Sequence, residues 1–396
     1  MITIKAPKVI AKNGKARMSA DIVVDDNVSS LWFEVEERYG SYLAPERSDA
    51  YVLAFLLYAM RHGHDITAES PMTDRLYAQL VEQFLPAFYK ANEGQCHPVK
   101  IMCDKAPEIE RLDDAVRVGT GVSCGVDSMH VFAAHPDITH GCIWNGHGVN
   151  TGETKEQRDS AWRDLISQAE RFSKAAGVEL IIGDSNFDRG CIDGLCWDGM
   201  TTYGNLFHVF AMQKFWSKYY IASLCASDNF GFRVSPEEDP AHYEFFLFPF
   251  VSLPHMMIQM DGADKRRVEK VADLVKYPLA KTYLNTCWGL HEGHNNCSYQ
   301  CPKCMRTMLD LYCHNALDAF NAVYDVEYFH NNFHQYLAEY YRGCIQHNFF
   351  YTEMSPYIRK KHVSIIAKMR AVWIVLKKAT RKICRLGKTN SRFRPD

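Results

Sequence analysis

From Ala115 onward, apolar runs of strand length alternate with amphipathic segments of helical length. The alternation predicts strands at 116–122, 139–144, 178–182 and 219–225, and helices at 127–134, 154–176 and 203–216. Such a succession is typical of an α/β fold in which a parallel sheet carries helices on both faces. Ligands bind at the carboxyl ends of the strands in these sheets.

Polar side chains follow each of these strands, and we expect them to meet at one edge of the sheet. The four groups are 123–128, 145–147, 184–186 and 227–229. His147 is a candidate contact for phosphate or for a substrate carboxylate, and Asp184 and Asp228 are candidate contacts for magnesium, ribose or substrate.

The flanking segments have patterns of their own. Residues 1–112 predict an α/β segment of unknown role, with a helix at 50–60 between Ser48 and Gly63. The apolar run 245–258 predicts buried core strands, and residues 316–396 predict a helical extension. We therefore expect three domains, at 1–112, 113–315 and 316–396.

The segment from Val116 to Ser128 predicts a buried strand, a turn containing glycine and a helix that opens near Asp127. A helix N-terminus offers free backbone N–H groups and a partial positive charge, which together attract anions. The hydroxyls of Ser123 and Ser128 would add donors for a pyrophosphate. Asp127 suits such a site if a metal ion accompanies the phosphates. The segment lacks both the Walker sequence and the dinucleotide-binding glycine pattern.

Four cysteines lie within 18 residues in the pattern Cys287-x9-Cys297-x3-Cys301-x2-Cys304. Four thiolates at this spacing indicate a structural zinc site, and an iron–sulfur cluster is the competing interpretation. His291 and His294 are rival ligands, and Lys303 and Arg306 would offset the negative charge of the thiolates.

The six residues Ser123-Cys-Gly-Val-Asp-Ser128 resemble the Ser-Gly-Gly-x-Asp-Ser signature of the PP-loop ATP pyrophosphatases. The sequence departs from that signature at Cys124, where the family usually has glycine. Together with the downstream cysteine cluster, the motif resembles the 7-cyano-7-deazaguanine synthases and their relatives. The resemblance covers about residues 115–313 and leaves both long flanks outside, which indicates a divergent relative.

The resemblance implies a PP-loop (HUP-like) nucleotide-binding fold with a zinc knuckle, using ATP, Mg²⁺ and Zn²⁺. ATP would be cleaved between its α and β phosphates to adenylylate a small-molecule carboxylate or a modified-base acceptor. Ammonia or an amine would then give an amide, a nitrile or a conjugate. By position, the implied catalytic residues are Asp127, Ser128 and His147, the nucleotide-binding residues are Ser123, Cys124, Gly125, Val126, Asp127, Ser128 and Asp184, and the metal ligands are Cys287, Cys297, Cys301 and Cys304.

Two other functions remain open at this point. Some PP-loop enzymes activate a tRNA base for thiolation, and Cys124 beside an electropositive turn would be the reactive thiol. Alternatively, Cys124 in place of glycine has disabled the turn for catalysis, and the protein is a non-catalytic nucleotide-binding scaffold. Release of AMP distinguishes the enzymes from the scaffold.

Composition limits the cellular setting. The chain has 396 residues, 47% of them hydrophobic, without a run near the ~20 apolar residues that cross a bilayer. Fourteen cysteines and an N-terminus without an apolar signal region favour a reducing cytosol. We expect a cytoplasmic homodimer.

Charge is concentrated near the C-terminus. Residues 359–394 carry 13 Lys or Arg and no acid, although the net charge of the whole chain is −2. Val363, Ile366, Met369, Trp373 and Leu376 recur at helical spacing, which predicts a basic amphipathic helix. Nucleic acid or another polyanion, an anionic membrane surface, and the body of the same protein are the three candidate partners.

Overall fold

The computed structural model describes residues 1–145, 154–187, 197–233, 240–287, 296–299, 301–358, 365–370 and 372–374, without the side chains of 197–200. His147, His291 and His294 lie outside the described residues. The strands are β1 (Ile2–Ile4), β2 (Lys8–Lys12), β3 (Lys15–Val24), β4 (Asn27–Glu36), β5 (Ile66–Ala68), β6 (Met72–Thr73), β7 (Ile101–Met102), β8 (Lys105–Ala106), β9 (Val118–Gly121), β10 (His140–Asn145), β11 (Glu179–Ser185), β12 (Lys218–Ala222) and β13 (Met257–Asp261).

Helices flank these strands and also form the elements that follow the last strand in the described part of the chain. They are α1 (Asp49–His62), α2 (Asp74–Ala78), α3 (Leu85–Ala91), α4 (Val126–Ala134), α5 (Lys155–Ala176), α6 (Trp197–Ala211), α7 (Glu244–Val251), α8 (Arg267–Lys276), α9 (Ala280–Tyr283), α10 (Pro302–Cys313), α11 (Val326–Asn331), α12 (Phe333–Ile345), α13 (Phe349–Thr352) and α14 (Ser355–Ile358). The α/β class expected from the alternating pattern is confirmed.

Eleven of the described strands form one large sheet. Its order is β13-β12-β9-β10-β11-β4-β3-β1-β5-β7, and β2 pairs with β3 outside this path. The five strands from β13 to β11 are parallel to one another, whereas β4 pairs antiparallel with β11. Numbered along the chain, the parallel strands stand in the order 3-2-1-4-5, and the direction of winding reverses at β9.

β9 is a strand despite two glycines in its four residues. A Cβ at Gly119 would come within 2.6 Å of Trp216 and 2.7 Å of Tyr219. Glycine therefore lets two large, fully buried side chains pack directly against the central strand. Such packing, and not intrinsic strand propensity, keeps this segment in the sheet.

The N-terminal segment extends the same sheet. Asn186, which follows β11, accepts a hydrogen bond from the backbone N–H of Trp32 at 2.8 Å and donates one to the carbonyl of Ser30 at 2.6 Å. The chain divides into two compact units, Met1–Lys265 and Arg266–Asp396. The boundary expected near residue 112 thus falls inside the first unit, because β4 hydrogen-bonds to the outer edge of β11.

The run 245–258 differs from the expected core strands. It forms helix α7 and contributes only its last residues to β13, although Pro249 lies inside the helix. The segment is apolar on all sides, so it has neither a helical nor a strand period, and composition alone does not separate the two. Phe245 and Phe246 remain 51% and 36% exposed, which a buried strand would not allow.

The described elements of the second unit are all helices. It begins with α8, whose N-terminus is held by Glu269 accepting from the backbone N–H of Arg266 at 2.7 Å. Arg267 is buried and its N–H donates to Glu353 at 3.2 Å. In the part of the chain that the structure describes, no helix is long and apolar enough to span a bilayer.

Candidate functional site

The turn at residues 122–125 leaves the carboxyl end of β9, at the point where the strand order reverses. In open α/β sheets this position is where two neighbouring connections diverge to opposite faces and leave a crevice for a ligand. α4 starts directly after the turn, so the backbone N–H groups of its first turn have no partner within the helix. The expected strand–turn–helix arrangement at 116–134 is confirmed, with β9 shorter than expected.

Hydrogen bonds within the turn hold the two serines together. Ser123 Oγ donates to Ser128 Oγ at 3.0 Å and accepts from the N–H of Gly125 at 3.3 Å. Ser128 Oγ is also 3.4 Å from the carbonyl of Gly125. The turn therefore presents two hydroxyls at the N-terminus of a helix, in contact with each other.

Cys124 has a left-handed backbone conformation of the kind that favours glycine. Its φ of +55° lies in the left-handed region, which costs a side-chain-bearing residue about 1–2 kcal/mol. The thiol is 2% exposed, and burial raises its pKa to about 12, with Arg171 opposing the shift. The turn keeps a glycine-like path, while the sulfur points away from solvent as an un-ionised thiol.

A cavity of about 330 Å³ opens beside the turn. Its walls come from the turn, the ends of β9, β10 and β12, and the helices α4 to α6. The lining residues are Thr120, Gly121, Val122, Ser123, Asp127, Ser128, Cys142, Ile143, Trp144, Leu165, Thr201, Asn205, Tyr219, Tyr220, Ile221 and Ala222. None of these described lining residues is basic, and the N-terminus of α4 contributes a partial positive charge to the cavity.

Part of the cavity lining comes from α6, and we call Thr201 and Asn205, together with the lining residue Cys142, the far wall. Polar groups are few there. Thr201 Oγ1 is buried and has no hydrogen-bond partner in the described part of the chain. Asn205 lies one helical turn later on α6. Burial of Cys142, also on the wall, raises the pKa of its thiol well above the ordinary value. The wall thus combines apolar surface with a hydroxyl and an amide that a ligand can use.

The other polar strand ends do not all reach this cavity. Asp184 is paired in the sheet with Asn145 on one side and with Glu34 on the other, and it is absent from the cavity lining. Ser185 is fully buried and contacts His208 Nε2 at 2.9 Å. Asp228 lies in a short, exposed 3₁₀ turn after β12. Ser123, Asp127 and Ser128 are brought together at the cavity, and Asp184 is not.

A carboxylate shared by two histidines lies at the end of β13. Asp261 contacts His130 Nδ1 at 3.0 Å and His135 Nε2 at 2.7 Å, and both histidines belong to α4 or its end. Burial acts to raise the pKa of Asp261, but the hydrogen bonds to the histidines hold it below the ordinary value. We call this group the His–Asp–His clamp, because it ties the helix behind the turn to the edge strand.

The four cysteine sulfurs form the second candidate site, and this one lies in the second unit. All four Sγ atoms of Cys287, Cys297, Cys301 and Cys304 lie within 4.8 Å of one another, and Cys297, Cys301 and Cys304 are buried. Ligands 2.3 Å from a tetrahedral zinc are about 3.8 Å apart, and the Cys287–Cys301 sulfur distance is 3.9 Å. The cluster can therefore hold a metal ion such as zinc.

The surroundings of the cluster fix its ligands in place. Cys301 caps α10, its sulfur accepting from the N–H of Cys304 at 3.4 Å, and Pro302 starts the helix. Buried Asn296 accepts from the N–H of Thr286 at 2.6 Å, next to Cys287. Hydrogen bonding among the sulfurs lowers the pKa of the Cys301 thiol and raises that of the Cys304 thiol.

Arg306, a candidate for offsetting thiolate charge, packs against an aromatic ring. It is buried on α10, and its guanidinium carbon lies 3.7 Å from the ring centre of Phe350. Lys303 is half-buried on the first turn of the same helix.

Sequence reasoning missed the far wall of the cavity and the His–Asp–His clamp. Thr201 and Asn205 reach the cavity through the path of α6 after β11, for which no local signal exists. Asp261 is a polar residue at the carboxyl end of strand β13, which is a recognisable signal. Because the apolar pattern predicts core strands at 245–258, it does not reveal the end of β13 at Asp261. The comparisons with known proteins add no assignment: no family model, curated protein or solved structure matches the chain.

Proposed function

We propose that this protein is an ATP-dependent adenylylating enzyme that converts ATP to AMP and pyrophosphate while activating an acceptor for attack by nitrogen. The observation that carries the proposal is the position of Ser123, Asp127 and Ser128. They line one cavity at the carboxyl end of the central strand, where the strand order reverses. The resemblance of the turn to the PP-loop signature supplies the reaction type.

The residues of the turn fit a magnesium pyrophosphate group. The α4 N-terminus and the hydroxyls of Ser123 and Ser128 would bind phosphate oxygens. Asp127 would hold Mg²⁺, which neutralises phosphate charge when bound. The apolar walls formed by Ile143, Leu165 and Tyr219 suit a planar base or acceptor.

The chemistry requires no nucleophile from the protein. A carboxylate oxygen of the acceptor attacks the α-phosphorus, and the bond from that phosphorus to the bridging oxygen of the β phosphate breaks, so that pyrophosphate leaves. The nitrogen of ammonia or an amine then attacks the acyl carbon, loses a proton and displaces AMP. The residues of the turn would stabilise the negative charge of the departing pyrophosphate. The apolar walls would keep water from the activated acyl group.

The thiolation alternative is less well supported. It needs a thiolate or persulfide carrier beside the nucleotide. Cys124 is 2% exposed with a pKa raised to about 12, which is the opposite of a reactive thiol. Cys142 is also buried with a raised pKa. We therefore favour attack by a nitrogen nucleophile on the activated acceptor over transfer of sulfur to it.

Asp127→Asn tests the role of the turn. We expect acceptor-dependent AMP formation to fall by at least about 100-fold, because a neutral amide binds Mg²⁺ more weakly than a carboxylate does. The assay incubates α-labelled ATP, Mg²⁺ and ammonia with a panel of carboxylates and with tRNA.

Asp137→Asn is the matched control. Asp137 is exposed past the opposite end of α4, forms an ion pair with Lys218 at 3.5 Å and accepts a hydrogen bond from the hydroxyl of Tyr220 at 3.3 Å. Asparagine at this position keeps an oxygen that can accept from Tyr220. It should retain AMP formation within about twofold. Equal activity of the Asp127 and Asp137 variants would refute the assignment of the turn, and binding of ATP without any turnover would favour a scaffold.

A further inference from the structure

The C-terminal helical segment exposes an apolar surface. Residues 365–370 and 372–374 are helical. Five apolar side chains on this segment are exposed: Ile365 at 71%, Ile366 at 75%, Met369 at 68%, Val372 at 47% and Trp373 at 58%. Ala367, by contrast, is 1% exposed, so the segment rests on the protein by its other side. We call the five exposed residues the apolar stripe.

The apolar stripe is continuous and is bordered by cations. At about 100° per residue, its five members fall within an arc of about 120°. Lys368 lies about 40° beyond Val372 at one border, and Arg370 lies about 40° beyond Ile366 at the other. Both cations are exposed, and the Lys368 ammonium is 5.4 Å from the ring centre of Tyr341.

We propose that the apolar stripe binds the surface of an anionic lipid bilayer. An interfacial helix places its apolar face in the acyl boundary while the bordering Lys and Arg side chains reach the headgroups. Trp373 within the stripe suits the same boundary, where tryptophan is enriched. In the sequence, residues 359–394 contain 13 Lys or Arg and no acid, a composition that an anionic leaflet attracts.

The charges around the apolar stripe disfavour a second copy of the chain and a nucleic acid as its partner. A second copy packed on the same face would bring Lys368 and Arg370 against their equivalents within a segment that carries no acid. A nucleic acid would satisfy the cations but leave the five apolar side chains in water. An anionic bilayer meets both requirements at once, and no membrane-spanning helix is needed for this kind of attachment.

Flotation with vesicles tests the proposal. The full chain is mixed with phosphatidylcholine vesicles, with and without about 30% phosphatidylserine, at low and high salt. We expect binding to the anionic vesicles only, weakened several-fold by high salt because the cations are exposed.

Two double variants separate the apolar and the charged contributions. Ile366→Glu with Met369→Glu should weaken binding to anionic vesicles by at least about tenfold, since it puts two carboxylates into the acyl boundary. Lys368→Gln with Arg370→Gln should weaken it by about tenfold. Ile10→Glu is the matched control, because Ile10 is 63% exposed on strand β2 in the first unit, and it should bind like the wild type. Both double variants should retain the ATP reaction, whose residues lie elsewhere.

Several outcomes would overturn the proposal. Absence of binding by the wild type, equal binding to neutral and anionic vesicles, or unchanged binding by the glutamate variant would each do so. A dimer that dissociates in the glutamate variant, without vesicle binding, would assign the stripe to a second copy. Nucleic-acid binding that survives the glutamate variant, without vesicle binding, would assign the cations to a polyanion.

Discussion

At the scale of single residues, Cys124 connects the sequence signature to the backbone. Its positive φ is a backbone conformation that favours glycine, and glycine is the residue that the resembled signature has at this position. The sequence alone left open whether the thiol was reactive. Burial makes the Cys124 thiol unreactive, because it raises the pKa of that thiol to about 12. Only the structure supplies this answer, since burial depends on residues distant in the chain.

Substitutions of Cys124 should follow the order set by backbone strain. Cys124→Gly loses the buried sulfur but relieves the left-handed strain, so its free energy of unfolding should stay within about 1 kcal/mol of the wild type. Cys124→Ala keeps the strain and should be about 1 kcal/mol less stable than the glycine variant. Urea unfolding measures both.

Cys142 provides the comparison, because it is equally buried but lies within strand β10 without a positive φ. There the alanine variant should be the more stable of the pair. An alanine variant more stable than glycine at position 124 would contradict the account of the turn.

The His–Asp–His clamp predicts a pH dependence. The folded pKa of Asp261 lies below its ordinary value of 3.8, so its contribution to stability is complete above that pH and is lost as pH falls through the folded pKa. Asp261→Asn should lower the free energy of unfolding by about 1–3 kcal/mol at neutral pH, and the difference should narrow below about pH 4. Chemical unfolding across pH 7 to about 3 checks this, and a difference independent of pH would contradict it.

At the scale of elements, the cysteine cluster could be predicted from the spacing of its residues in the sequence, because a turn of a few residues brings nearby thiols together. The sulfur positions agree with that interpretation. The apolar run 245–258 was not readable, because α7 is apolar on all sides and a short run without a period fits a strand equally well. The pairing of β4 with β11 joins segments far apart in the chain, for which there is no local pattern.

Removal of one ligand should empty the cysteine cluster. We expect the purified protein to carry about one zinc per chain and Cys304→Ser to carry far less, with unfolding at lower denaturant concentration, because the bound metal stabilises only the folded state. Cys313→Ser, a buried cysteine on the same helix outside the cluster, should keep its metal.

Elemental analysis and denaturant titration give both readouts. Iron with acid-labile sulfide in place of zinc would identify an iron–sulfur cluster instead. Metal retained at the wild-type level by the Cys304 variant would contradict the ligand assignment.

At the scale of the whole molecule, the alternating pattern predicted the α/β class and the approximate positions of the strands around the site. It did not predict that the N-terminal strands continue the same sheet, nor which strand ends share a cavity. Asp184 illustrates the difference: it stands at the expected edge, yet its neighbours in the sheet are Asn145 and Glu34 and it does not line the cavity. Convergence depends on strand order, which local patterns do not encode.

The most direct test of the proposed chemistry is the identity of the nucleotide that ATP becomes. Wild-type protein with bound metal is incubated with α-labelled ATP, Mg²⁺, ammonia and a carboxylate panel, and the labelled products are separated. We expect AMP, formed only when an acceptor is present and matched by an equal amount of pyrophosphate. Labelled ADP would contradict the account, because it would mean that the bond between the β and γ phosphates is the one that breaks.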